Sequence, residues 1–123
     1  MMLKQKKVLS AALLFLLAAS FALAIASGNA EPVVMDGAAL FNSRCSKCHG
    51  LKGVGTDKGP PLVHKIYEPN HHADMSFYWA AERGVRAHHW GFGDMPPVEG
   101  VSKDDVSAII KYIRGLQKEA GIF

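Results

Sequence analysis

Hydrophobic and polar positions divide this chain into one apolar block and three helical patterns. From Val8 to Ala26 no ionisable residue interrupts 19 mostly apolar positions, and Lys4, Lys6 and Lys7 precede them. Further on, Asp36 offers a helix N-cap to a stretch through Ala38, Ala39, Leu40 and Phe41 toward Cys45. A second helix is predicted after Asp74, over Ser76 to Arg83, with Phe77, Ala80 and Ala81 on one face. Gly84 supplies its stop. The third pattern is the clearest. Ser102 caps it, Asp105 completes a capping-box pattern, and Val106, Ile109, Ile110, Ile113 and Leu116 form a stripe at helical spacing.

Between these stretches lie segments rich in glycine and proline, Gly50 to Pro61 and Gly91 to Gly100. No segment sustains the period of two that a strand requires. The expected fold class is therefore all-α, with long connections that something must pin in place.

The N-terminal block reads as a secretory signal peptide: a cationic start, an apolar run, then small residues ending at Ala30. Cleavage is expected after Ala30, with Ala26 as the other small-residue site. The alternative is an uncleaved anchor, because about 20 apolar residues span a bilayer. Residues 31–123 form the expected exported domain in either case, periplasmic or otherwise extracytoplasmic. At 93 residues, such a domain makes a purely apolar core marginal.

Charge adds an exclusion. The chain has 14 Lys and Arg against 11 Asp and Glu, and three of those lysines lie within the first 30 residues. The exported part is thus formally neutral, with no basic patch for nucleic acid.

The chemistry concentrates in Cys45-Ser46-Lys47-Cys48-His49, a C-x-x-C-H sequence. On one helical turn, cysteines three apart reach the two vinyl groups of a haem, and the next histidine becomes an iron ligand. A thioredoxin-like redox pair needs a β-α-β pattern that is missing. A zinc site would need a second ligand pair, and the chain has only these two cysteines. One covalently bound haem c is the cofactor expected.

With those residues in view, the chain resembles the class I c-type cytochromes, small monohaem proteins of the cytochrome c family. The resemblance runs from about Asp36 to Leu116. It rests on Gly37 and Phe41 in the first helix, on Cys45 to His49, and on Gly59-Pro60-Pro61-Leu62. Met95 in Gly93-Asp94-Met95-Pro96-Pro97 and Tyr112 in the last helix complete it. The resemblance implies a helical shell around one haem, with thioethers from Cys45 and Cys48 and axial ligands His49 and Met95. It also implies that the Pro60 carbonyl orients the His49 ring and that Leu62 presses on the haem. Last, it implies that Tyr112 packs near Gly37 and Phe41.

Of five methionines, Met1 and Met2 leave with the signal and Met35 precedes the first helix. Met75 starts the middle helix, where packing under Phe77 and Trp79 is its ordinary role. Met95 lies in a loop stiffened by Pro96 and Pro97, which suits a flexible side chain that must reach iron.

Five histidines remain: His64, His71, His72, His88 and His89. Around a haem edge they would pack beside Trp90 and Phe92. A second metal, with copper the natural candidate, is the other reading. Geometry speaks against pooling the two His-His pairs, since about ten helical residues between them span roughly 15 Å and both reach one ion only if the flanking loops fold back. Neighbouring side chains also diverge in regular structure. A third arrangement has His88 or His89 replace Met95 on iron.

The function expected is that of an exported one-electron carrier, or haem subunit, in a respiratory or dehydrogenase electron-transfer chain. Its partners are then redox proteins, with membrane contact only if the N-terminal segment stays attached. A haem enzyme such as a peroxidase would need an open distal position. A sensor or metal-handling module built on the histidines is the alternative.

Overall fold

The computed structural model describes residues 36–123. The expected signal peptide, its cleavage site and the boundary at residue 31 lie outside the described residues.

Among the described residues there are four helices: α1 (Gly37–Arg44), the single turn α2 (Ser46–His49), α3 (Asp74–Arg83) and α4 (Lys103–Glu119). Short 3₁₀ turns occupy Leu51–Gly53 and Lys65–Tyr67. The described residues contain no strand, only an isolated antiparallel bridge between Val85 and Met95. No described helix is long and apolar enough to cross a membrane. The fold is all-α, as the periodicity predicts.

Capping accounts for where α1 and α4 begin. The Asp36 side chain accepts from the Ala38 N–H, two positions into α1. At α4 the capping box is complete: Ser102 Oγ accepts from Asp105 N at 3.1 Å, and Asp105 Oδ2 accepts from Ser102 N at 2.8 Å.

The middle helix departs from expectation. It begins at Asp74, not Ser76, and its N-cap Ala73 makes no side-chain capping bond. Asp74 occupies the first turn, where a carboxylate favours the helix dipole, and accepts from Arg114 Nε at 2.8 Å. It joins α3 to α4 across 40 residues of chain.

The core sits where α1 crosses α4. Leu40 and Phe41 meet Ile109 and Ile113 there, and the Phe41 and Tyr112 rings lie 5.7 Å apart. Gly37 permits the approach, because a Cβ at that position would fall on the Ala108 carbonyl. The α4 stripe ends differently from its sequence reading. Val106, Ile109, Ile110 and Ile113 are buried as expected, but Leu116 is only half-buried and Gln117 is fully enclosed.

Gln117 can be buried because its hydrogen-bonding groups are satisfied. Its Nε2 donates to the Leu62 and Tyr67 carbonyls at 2.8 and 3.1 Å, and its Oε1 accepts from Arg114 Nη1 at 2.7 Å. Arg114 also donates to the carbonyls of Tyr67 and His72 and lies over the Phe77 ring, 4.9 Å from its centroid. One amide and one guanidinium thereby hold the whole connection from Leu62 to Asp74 against α4.

Candidate haem site

A cavity of about 480 Å³ opens beside this core, within the size range of cofactor pockets. Residues far apart in the chain form its wall: Cys45, His49, Pro60 and Leu62 from one half, Val85 and Met95 from the other. Core residues Phe41, Ile109 and Ile110 line it too, so the apolar core is open on that side.

His49 is set by its surroundings. The short turn of α2 is buried at this residue, and the His49 Nδ1–H donates to the Pro60 carbonyl at 2.9 Å. That bond leaves Nε2 with its lone pair free. Burial holds the imidazole below the usual histidine range, against the opposing pull of the Pro60 carbonyl. The ring is thus neutral and able to donate to a metal at neutral pH.

Pro60 reaches His49 because the Gly50–Pro61 connection is pinned over its length. The Gly55 N–H donates to the His49 carbonyl, Thr56 Oγ1 to the Cys48 carbonyl, and Leu62 N to the Gly53 carbonyl. Gly59 packs against the Cys48 backbone, where a Cβ would be too close. The glycine-rich segment that reads as a loop is a fixed strap.

The two cysteines have different settings. Cys45 caps the end of α1, is half-buried and lines the cavity. Burial and the neighbouring Cys48 push its thiol pKa up to about 11. Cys48 lies one turn on, exposed, and is not part of the cavity wall. No disulfide joins them.

On the other side, Met95 is clamped by backbone. Val85 and Met95 exchange two N–H···O bonds of 2.9 and 2.8 Å, and Val98 N donates to the Ala81 carbonyl. Gly84, at φ 77°, ends α3 where a Cβ would fall on the Met95 carbonyl. The adjacent prolines therefore supply only part of the stiffness read from sequence. Met75 is 52% exposed and lies outside the cavity wall.

The histidines correct another expectation. The connections flanking α3 fold back, so His71, His72 and His89 bring ring nitrogens within 4.8 Å of one another. His88 lies beside them, its ring 4.3 Å from that of His89. The length of α3 does not keep the pairs apart, because both depart from its ends toward the same side. His72, His88 and His89 also line the cavity together with Trp90 and Phe92, as expected of residues around a cofactor edge. His64 stands apart, accepting from Ile66 N and meeting Trp90 edge-on at 5.2 Å.

The cavity fits a flat apolar group carrying polar substituents. Its wall is mainly apolar. Among the described residues, Trp90 Nε1 is the one buried side-chain polar atom without a hydrogen-bond partner, and Trp90 lines the cavity. The Tyr67 hydroxyl, also at the cavity wall, interacts with that N–H without a well-aligned hydrogen bond, and an acceptor on a bound group would complete it. Sequence reasoning missed this donor, and it missed Arg114 and Gln117, whose roles depend on carbonyls more than 40 residues away. The Gln at a stripe position was the one available signal.

A helical shell open on one side, with a C-x-x-C-H turn at its wall, defines a haem-binding electron-transfer protein. The family described as Cytochrome c matches residues 34–117, and the chain belongs to that family. Its cofactor is accordingly haem c, held covalently. A search of curated proteins gave no significant match, and neither did a search of solved structures.

Proposed function

We propose that this protein is an exported monohaem carrier, or haem subunit, that passes one electron at a time between larger redox proteins of a respiratory or dehydrogenase chain. Cys45 and Cys48 hold the haem as thioethers, and His49 and Met95 are its axial ligands. One observation carries the reading: His49 with its Nδ1 spent on Pro60, and Met95 with its backbone clamped to Val85, line the same cavity.

One-electron exchange at iron is the chemistry the haem supplies when bound. The chain contributes the rest. Pro60 makes the imidazole a stronger donor. The Met95 thioether favours the reduced metal and raises the potential. Leu62, Phe41 and the α4 isoleucines exclude water from the faces of the pocket. With His49 and Met95 both holding the iron, no substrate site would remain, which would separate a carrier from a peroxidase.

The lysine-led apolar stretch before residue 31 supports export, with the anchor as the alternative for the mature state. The near-neutral charge of residues 31–123 favours partner proteins over nucleic acid.

The test is ligand access. Acid-acetone extraction should leave the haem on the polypeptide, and carbon monoxide should leave the spectrum of the reduced holoprotein unchanged. Haem released into the solvent overturns covalent attachment. Rapid carbon monoxide uptake overturns the Met95 assignment and moves the protein toward haem enzymes.

A further inference from the structure

The four histidines flanking α3 are not needed for haem ligation as proposed above, and their arrangement is more specific than edge packing requires. His71 Nε2 and His89 Nε2 face each other at 3.3 Å. Two ligands on one tetrahedral ion with bonds of about 2.0–2.1 Å lie about 3.3–3.4 Å apart, so this separation, also that of a hydrogen bond between the two rings, suits a zinc-type pair, and His72, within 4.8 Å of them, closes in to join it.

His72 is prepared as the third ligand. Its Nδ1–H donates to the Ile66 carbonyl at 2.7 Å, which fixes the tautomer and leaves Nε2 as the lone-pair nitrogen. The backbone is fixed as well. His71 and His72 both donate their N–H to the Glu68 carbonyl, and the His72 carbonyl accepts from Arg114. Opposite them, the Val85–Met95 bridge and the Ala87 N–H to Asp94 contact hold the turn carrying His88 and His89.

Partial burial first, then the neighbouring imidazoles, lowers His72 below the usual histidine range. Desolvation and the same neighbours lower His89.

We propose that His71, His72 and His89 form a binding site for a divalent transition-metal ion of zinc type, with water in the fourth position. His88, whose Nδ1–H is engaged by the Arg86 carbonyl, flanks the site. Three imidazoles and one open position is a donor set that zinc accepts, and copper competes for it by affinity. The ion ties together the two connections on either side of α3. One carries Leu62 and Tyr67 and the other carries Met95, so the site fastens the mouth of the haem cavity. This inference goes beyond the haem reading and rests on it in one respect, that His49 and Met95 rather than these histidines bind iron.

Zinc chloride titrated into chelator-stripped holoprotein, followed by calorimetry, tests it. Expected is one saturable zinc per chain, a higher melting temperature with zinc, and an unchanged haem spectrum. The His71→Gln variant, altered only at an exposed side chain outside the cavity wall, should keep its haem spectrum and lose at least about 10-fold in zinc affinity. The His64→Gln control should bind as the parent does. Absence of saturable binding, or binding retained by His71→Gln, overturns the site. A changed haem spectrum in His71→Gln overturns it too, by assigning a histidine to iron. Covalent haem retention, measured on the same samples, reports separately on the haem reading.

Discussion

At the residue scale, two methionines with equal claims in composition have unequal positions. Met95 belongs to the cavity wall and Met75 projects into solvent at the start of α3. Met95→Ala should remove sulfur from the iron ligand set, read by X-ray absorption. It should also lower the potential by on the order of 0.1 V, a fraction of the about 0.8 V that axial ligands command. Met75→Ala should change neither. Gln117 carries a second residue-scale prediction. Gln117→Leu keeps the volume but orphans the Leu62 carbonyl and removes a partner from Arg114. A loss of about 1–3 kcal/mol is expected in denaturant unfolding of the holoprotein. The amide was illegible in the sequence: an apolar stripe reads Leu116 as its next member, and only the connection laid across α4 offers Gln117 its carbonyls.

At the scale of elements, the crossing of α1 and α4 depends on one missing side chain. Gly37→Ala places a methyl against the Ala108 carbonyl, which is backbone and cannot rotate away. Overpacking of this kind costs about 1–3 kcal/mol, so the melting temperature of the holoprotein should fall by several degrees. The start of α4 adds a pH dependence. The backbone N–H and hydroxyl of Ser102 hold the Asp105 carboxyl below its usual range. A carboxylate depressed in the folded state stabilises above its unfolded value of about 3.9 and ceases to do so as pH falls through the folded value. Asp105→Asn should therefore flatten the acid limb of the stability profile and leave its shape near neutrality unchanged. The cap and its box were legible in the sequence because they are set by residues three positions apart, whereas the Gly37 crossing was expected only through family resemblance.

At the scale of the molecule, the core and the cofactor pocket share walls. Phe41, Ile109 and Ile110 face the cavity, so the group that fills it also closes the apolar core. A Cys45→Ala/Cys48→Ala variant, unable to hold haem covalently, should keep much of its far-ultraviolet helical signal. It should lose the near-ultraviolet signal of fixed aromatic packing and unfold less cooperatively, as measured by circular dichroism. The straps around the pocket follow the same logic, since each is held by bonds to an element distant in the chain: Leu62 to Gln117, His72 to Arg114, Val98 to Ala81.

Chemistry written in neighbouring residues was legible before any fold was known. The C-x-x-C-H turn, the caps at Asp36 and Ser102, the stop at Gly84 and the α4 stripe all follow from spacings of a few residues, where backbone geometry leaves few choices. Pairing His49 with Pro60 and Met95 was legible through family resemblance, and the structure supplies the straps that bring them to one cavity. The convergence of His71, His72 and His89 hung on whether the connections flanking the helix fold back, which the sequence did not decide, and the helical rise argued against it. A helix sets the distance between its ends, but the connections leaving those ends set where their side chains meet. Those connections are placed by Arg114, Gln117 and the Val85–Met95 bridge, contacts between segments whose separation in the chain carries no local pattern.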